Sequence, residues 1–210
     1  MRKIVTLLAT LGIIFCVASC KCTSESQKNE GFKEAEAGLV VENAMSLDKQ
    51  TMYLKYGSSD YRWYETGVVL KNWLDEENDG EIEMVVNVFQ TVIERGSSFD
   101  TKVYKIQHTA EGVYEEAIDG FWIEDYPMND EAIKITFKEA FDKVMAVNLP
   151  KPHTRQVVLR KQVGPVDANP QWIFGNLRSQ IYVDAITGEV NSENPAFRGL
   201  NLGTPLGEWP

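Results

Sequence analysis

From Leu39 onward the chain alternates between two hydrophobic periods, and their order predicts its elements. Val40, Ala44, Leu47 and Leu54 fit a helical stripe from Leu39 to about Tyr56, although Met52-Tyr53-Leu54 also fits the start of a strand. Two long strands follow, Tyr61 to Leu74 and Glu81 to Glu94. In the second, Ile82, Met84, Val86, Val88 and Val92 alternate on one face, the period of a half-buried strand. Asp75-Glu76-Glu77-Asn78-Asp79-Gly80 between them is a turn. Further strands are expected over Thr101 to His108 and Val113 to Ile123, with turn signals at Gly96-Ser97-Ser98 and Glu111-Gly112. This stretch predicts a helix followed by an antiparallel meander.

Tyr126-Pro127-Met128-Asn129-Asp130 is a natural break. Beyond it, Thr136 and Glu139 form a capping box, each side chain placed to satisfy the other's free backbone N–H. Phe137, Ala140, Phe141, Val144 and Met145 then share one helical face, and the helix must end before Pro150. Strands follow near Arg155 to Val163, Gln171 to Gly175 and Ser179 to Ala185. The expected fold is α+β, with two small helix-plus-antiparallel-sheet modules over residues 39–130 and 131–210. The end of the chain, with Phe197, Leu200, Leu202, Leu206 and Trp209, is expected to lie extended along the second module.

The start of the chain gives an address. Arg2 and Lys3 precede an apolar run, Ile4 to Val17, of signal-peptide length and too short for a confident membrane span. Val17-Ala18-Ser19-Cys20 resembles the lipobox of bacterial lipoproteins. That resemblance implies cleavage after residue 19, a lipid on Cys20 and a place in the cell envelope, on the periplasmic or surface side. Residues 20–38 are polar and without periodicity, a flexible tether reaching roughly 20–25 Å. Cys16 would leave with the signal, so a chain acylated at Cys20 keeps only Cys22 as a free thiol and forms no internal disulfide.

Composition narrows the function. The 210 residues carry 21 Lys or Arg and 31 Asp or Glu, a net of −10, which argues against nucleic-acid binding. Without residues 1–19 the net is −12, and it is unevenly spread. Residues 20–133 hold ten bases and 24 acids, whereas residues 134–210 hold nine bases and seven acids. A basic partner therefore belongs with the first module and an anionic one with the second.

The helix start Ile135-Thr136-Phe137-Lys138-Glu139-Ala140, the strands after it and Tyr182-Val183-Asp184-Ala185-Ile186-Thr187-Gly188-Glu189-Val190 together resemble the PepSY domain over residues 134–192. Pro150-Lys151-Pro152 and the Gly164-Pro165 to Pro170 insertion depart from that pattern. The resemblance implies a helix packed on a small antiparallel sheet and a binding or regulatory role, such as the peptidase inhibition or chaperoning associated with PepSY propeptides. Read physically, Asp184, Thr187 and Gly188 are turn architecture, an Asx-turn closed by a glycine suited to positive φ.

No catalytic constellation stands out. His108 and His153 are the only histidines, in different modules, and no zinc motif, G-x-S-x-G, P-loop or G-x-G-x-x-G occurs. No cofactor or metal site is expected. Asp75-x-Glu77-x-Asp79-Gly80 imitates half of an EF-hand loop, but Val86 stands where the bidentate Glu belongs. The leading expectation is a non-catalytic exported lipoprotein that binds a protein or peptide, with a secreted peptidase as the partner the PepSY resemblance suggests. The alternative is a surface glycan-binding lipoprotein. It would use exposed strand aromatics, with Trp63, Tyr64 and Trp122 as candidate ligand contacts, since Trp63 and Tyr64 should point to opposite faces of a strand; core packing and cross-strand pairing are the first expectation for the same rings. A third reading, an enzyme built on carboxylates, would need two close acids in a narrow cleft.

Overall fold

The computed structural model describes residues 38–57, 60–95, 98–176 and 179–198. The signal segment, Cys20, Cys22, the tether up to residue 37 and the tail beyond residue 198 lie outside the described residues. In chain order the elements are α1 (Val41–Tyr56), β1 (Tyr61–Leu70), β2 (Ile82–Arg95), β3 (Ser98–Thr109), β4 (Gly112–Asp119), β5 (Asp125–Tyr126), α2 (Phe137–Ala146), β6 (Gln156–Gln162), β7 (Gln171–Asn176), β8 (Ser179–Asp184) and β9 (Val190–Asn191). The architecture is α+β, with two helices and one large antiparallel sheet. Among the described residues no helix is long and apolar enough to cross a membrane.

The sheet runs β4-β3-β2-β1-β6-β7-β8-β9, with β5 added beside β6. A helix followed by a four-strand meander thus occurs twice, and the first strands of the two runs pair in the middle, from Glu65 opposite Arg160 to Val69 opposite Gln156. The two halves expected from sequence share this one sheet and do not carry a separate sheet each.

Both helices contribute to one core. Val68, Val85, Phe89, Ile106, Val157, Leu159, Trp172, Phe174, Ile181 and Val183 line one face of the sheet and pack against Val41, Met45 and Met52 of α1 and Phe137, Phe141 and Val144 of α2. The α2 capping box forms: the Glu139 N–H donates to Thr136 Oγ1 at 3.2 Å, and the Thr136 N–H donates to Glu139 Oε2 at 2.9 Å. Glu42, in the first turn of α1, accepts from the Phe137 N–H at 2.7 Å, so one helix start caps the other.

Two expected faces are corrected. In α1 the buried positions are Val41, Ala44, Met45, Asp48 and Met52, while Val40, Leu47 and Leu54 are exposed. The stripe is rotated because a carboxylate, Asp48, occupies an inward position. In β2 the alternating Met84, Val86 and Val88 line the face away from the helices, and Val85, Asn87, Phe89 and Thr91 face them. The polar pair Asn87 and Thr91 hides the inner face from a hydrophobicity pattern.

After β4 the chain forms a strap over residues 120–128. The Trp122 N–H donates to Gln90 Oε1 at 2.6 Å on the face opposite the helices. Asp125 and Tyr126 then pair with Gln162 and Lys161, and the Met128 N–H donates to the Trp63 carbonyl at 2.8 Å.

Candidate functional site

Three groupings of polar or exposed side chains stand out. The first lies under α1. Asp48 accepts from the Asn87 amide at 2.7 Å and from His108 Nε2 at 2.8 and 2.9 Å. Thr66 Oγ1 donates to Asn87 Oδ1 at 2.5 Å and accepts from Trp63 Nε1 at 3.2 Å. One helix and three strands are thus joined through the core, with Asp48 only 2% exposed. An acid and a histidine in contact resemble two members of a catalytic triad; these are sealed from solvent and tie helix to sheet.

The second grouping lies under the strap. Asp125, 4% exposed, accepts from Trp122 Nε1 at 3.1 Å and lies 3.6 Å from Arg160 Nε. Glu65 faces Arg160 across β1 and β6. Burial, reinforced by the negative charge of Asp125 and only partly offset by Arg160, pushes the Glu65 carboxyl up from 4.5 to about 7. Burial raises Asp125 as well, against the pull of Arg160. Both acids lie in the field of one guanidinium, Glu65 on β1 and Asp125 on the strap itself.

A pH effect follows. A folded-state pKa above the unfolded one stabilises fully below about pH 4.5, and that contribution is lost as pH rises through about 7. Glu65→Gln should therefore be close to neutral at about pH 5 and stabilising by about 1–2 kcal/mol at about pH 8, the full linkage value being reduced because the side chain keeps some solvent. Urea unfolding at the two pH values checks this, and an equal effect at both would remove Glu65 as the titrating group.

The third grouping is a surface. β4 ends the sheet, and apart from its first residue every residue of the strand is exposed, so no described segment covers either of its faces. Val113, Tyr114 and Ile118 stand open on it, and Phe121 and Ile123 (81% exposed) continue the apolar surface along the strap. Lys55 meets Glu115 at 2.8 Å and Lys102 meets Asp119 at 3.1 Å along the same strand. The arrangement is an unpaired strand edge bearing aromatic, aliphatic and acidic side chains. Such an edge offers free backbone hydrogen-bonding groups beside exposed apolar side chains.

The chain matches no protein-family model, no curated protein and no solved structure. The residues must therefore speak for themselves.

Trp63 and Tyr64, weighed as ligand contacts against core packing and expected on opposite faces, are both buried, Trp63 to 3%. The cause is a bulge: the pairing with β2 steps from Trp63 opposite Phe89 to Glu65 opposite Val88, leaving Tyr64 as an extra residue. Lys49 Nζ sits 3.4 Å from the centroid of the Trp63 ring, whose face is thus occupied. Neither ring is free to stack on a sugar. Trp122 is half-buried, held through both its backbone and ring N–H groups.

The structure places Asp184, Thr187 and Gly188 in the turn between β8 and β9. Asp184 Oδ1 accepts from the N–H groups of Ile186 and Thr187 at 2.8 and 2.9 Å, and the Gly188 N–H donates to the Asp184 carbonyl at 2.8 Å. Burial would raise the Asp184 carboxyl, but these N–H groups and the amides of Asn169 and Gln171 hold it below its ordinary value. Gly188 has φ 74°, and a Cβ there would lie 2.9 Å from Lys143 of α2.

In the Asp75–Gly80 turn, the Asn78 amide donates to the carbonyls of Asn72 and Trp73, and the Glu81 N–H donates to Asp79. Among the described residues no three His, Cys, Asp or Glu side chains converge on a common point. Asp75 pairs with His153 at 2.9 Å, and His153 stacks on Trp73 with centroids 4.0 Å apart. Sequence reasoning missed Asp48, Asn87, Glu65 and the edge status of β4. The one available signal was an acid at an inward helical position.

Proposed function

We propose that this is an exported lipoprotein, anchored through Cys20, that works without catalysis by engaging a protein or peptide partner. In this reading its two halves are helix-plus-sheet modules, the second PepSY-like, and the first presents the docking edge. The observation that carries the reading is the eight-residue β4, unpaired on one side and exposed on both faces. The burial of both titratable clusters, Asp48 with His108 and Glu65 with Asp125, favours binding over chemistry. A peptidase exported with the protein is the first partner to examine, on the strength of the resemblance over residues 134–192.

A photo-cross-linker replacing Ala117 in β4 should form adducts in intact cells with one recurrent exported protein. The same probe at Leu54, exposed on α1, should not. Equal labelling from both positions, or none from Ala117, would overturn the reading.

A further inference from the structure

The docking edge described above has a chemistry that selects its occupant. The two ends of the sheet differ: β9 is two residues long, whereas β4 is eight. Edge strands are ordinarily protected by prolines, bulges, brevity or charged side chains. β4 contains no proline and pairs with β3 in unbroken register from Gly112 to Asp119, so its protection is the charge of Glu115, Glu116 and Asp119.

The register also shows which backbone groups are free. The Gly120 N–H donates to the Thr101 carbonyl, continuing the alternation in which Gly112, Tyr114, Glu116 and Ile118 exchange hydrogen bonds with β3. Val113, Glu115, Ala117 and Asp119 therefore aim their N–H and C=O groups away from the sheet. Their side chains lie on the helix side of the sheet, opposite His108, Ile106, Tyr104 and Lys102. Tyr114, Glu116 and Ile118 lie on the other side. The helix-side row carries the carboxylates of Glu115 and Asp119, each already met by one exposed lysine of this chain, Lys55 at 2.8 Å and Lys102 at 3.1 Å, and the opposite row is mainly apolar.

Residues 110–126 contain six acids and no base, and residues 39–133 contain 20 acids against seven bases. A second copy brought edge to edge would set like charges against each other. The segment of this chain beyond residue 198 has no Lys or Arg, and residues 21–38 hold three Lys against four Glu. Charge complementarity disfavours all three occupants and points outside the chain.

We propose that β4 accepts an extended, cationic segment of a partner protein as an added strand, with basic and apolar side chains alternating along it. The basic side chains lie in the row of Glu115 and Asp119, sharing or displacing the weak exposed pairs with Lys55 and Lys102, and the apolar ones lie beside Tyr114 and Ile118. Backbone hydrogen bonds to the four outward residues supply strand pairing, and the two rows supply selectivity. This rests on the docking reading given above.

The test uses the signal-free protein and three fluorescent peptides of equal length, alternating Val with Lys, Thr or Glu, with binding followed by anisotropy. The Lys peptide should bind about 2- to 25-fold more tightly than the Thr peptide at low salt, each of two exposed charge pairs contributing about 1.4- to 5-fold. That preference should shrink towards unity near 1 M salt. Ala117→Pro removes an outward N–H at a position where an edge strand tolerates proline, and it should weaken binding at least about tenfold without changing net charge. If that variant fails to fold, the paired reversal Glu115→Lys with Asp119→Lys takes its place and should invert the preference towards the Glu peptide. Equal binding of Lys and Thr peptides, abolished by Ala117→Pro, would overturn the cationic specificity and leave the docking edge standing. Binding of the Lys peptide that ignores Ala117→Pro would overturn strand addition. Binding of no peptide at all would overturn the docking reading itself.

Discussion

Asp48→Ala should lower unfolding stability by about 3–5 kcal/mol, because it orphans a buried network and not one contact. The Asp48 carboxylate is the common acceptor for His108 Nε2 and the Asn87 amide, and Asn87 in turn orients Thr66. Removing the carboxylate leaves two donors buried to 5% exposure or less with no acceptor, in a region where water cannot readily replace it. Thr66 and Asn87 sit directly opposite each other across β1 and β2, so the loss falls on the helix-to-sheet registration as well as on local packing. Urea unfolding gives the number, and a loss below about 1 kcal/mol would show that the network contributes little. His108→Ala should share most of its cost with Asp48→Ala. In a double-mutant cycle the pair should therefore cost clearly less than the sum of the singles.

The same network explains which parts of the fold were readable from sequence. α2 was, because its capping box and its stripe of Phe137, Ala140, Phe141 and Val144 point to the same helix, and nothing polar interrupts the buried face. α1 was readable as an element but not as a face, since Asp48 occupies the core where a pattern expects an apolar residue. The strands were readable for a related reason: alternation reveals a strand whichever side is buried. In β2 the apolar alternation marks the face away from the helices, and the inner face carries Asn87 and Thr91.

The site was less legible than the fold. Sequence spacing put Trp63 and Tyr64 on opposite sides of a regular strand, and the bulge at Tyr64 defeats that rule. The docking edge depends on topology. Val113 to Ile118 looks like any half-buried strand until β4 proves to be the last strand on its side, with no described segment over either face. The uneven charge was legible from the start, and the structure shows where part of it lies, on that edge and the adjoining strap. Central pairing of β1 with β6 was out of reach because it joins residues about ninety positions apart, with no local signal to mark it.

That central pairing carries the second large effect. Phe137→Ala should cost about 3–5 kcal/mol and lower the melting temperature by roughly 10 °C or more. The ring is buried at the start of α2, with Trp172 edge-on at 5.7 Å, Phe141 at 6.2 Å and Phe174 at 6.5 Å. Its removal opens a cavity among large side chains held by two elements, and Trp172 is further fixed by donating to the Ile135 carbonyl. The damage should not stay in the second half. β1 and β6 pair along five residues, one apolar cluster contains side chains from both helices, and Glu42 of α1 caps α2 at Phe137 itself. Unfolding should therefore remain a single transition. Tryptophan fluorescence, to which the first half contributes three of the five tryptophans (Trp63, Trp73 and Trp122), should move to the same lowered midpoint as far-ultraviolet circular dichroism. A biphasic melt, with a first-half transition left at the wild-type temperature, would mean that the halves fold as independent modules despite the shared sheet.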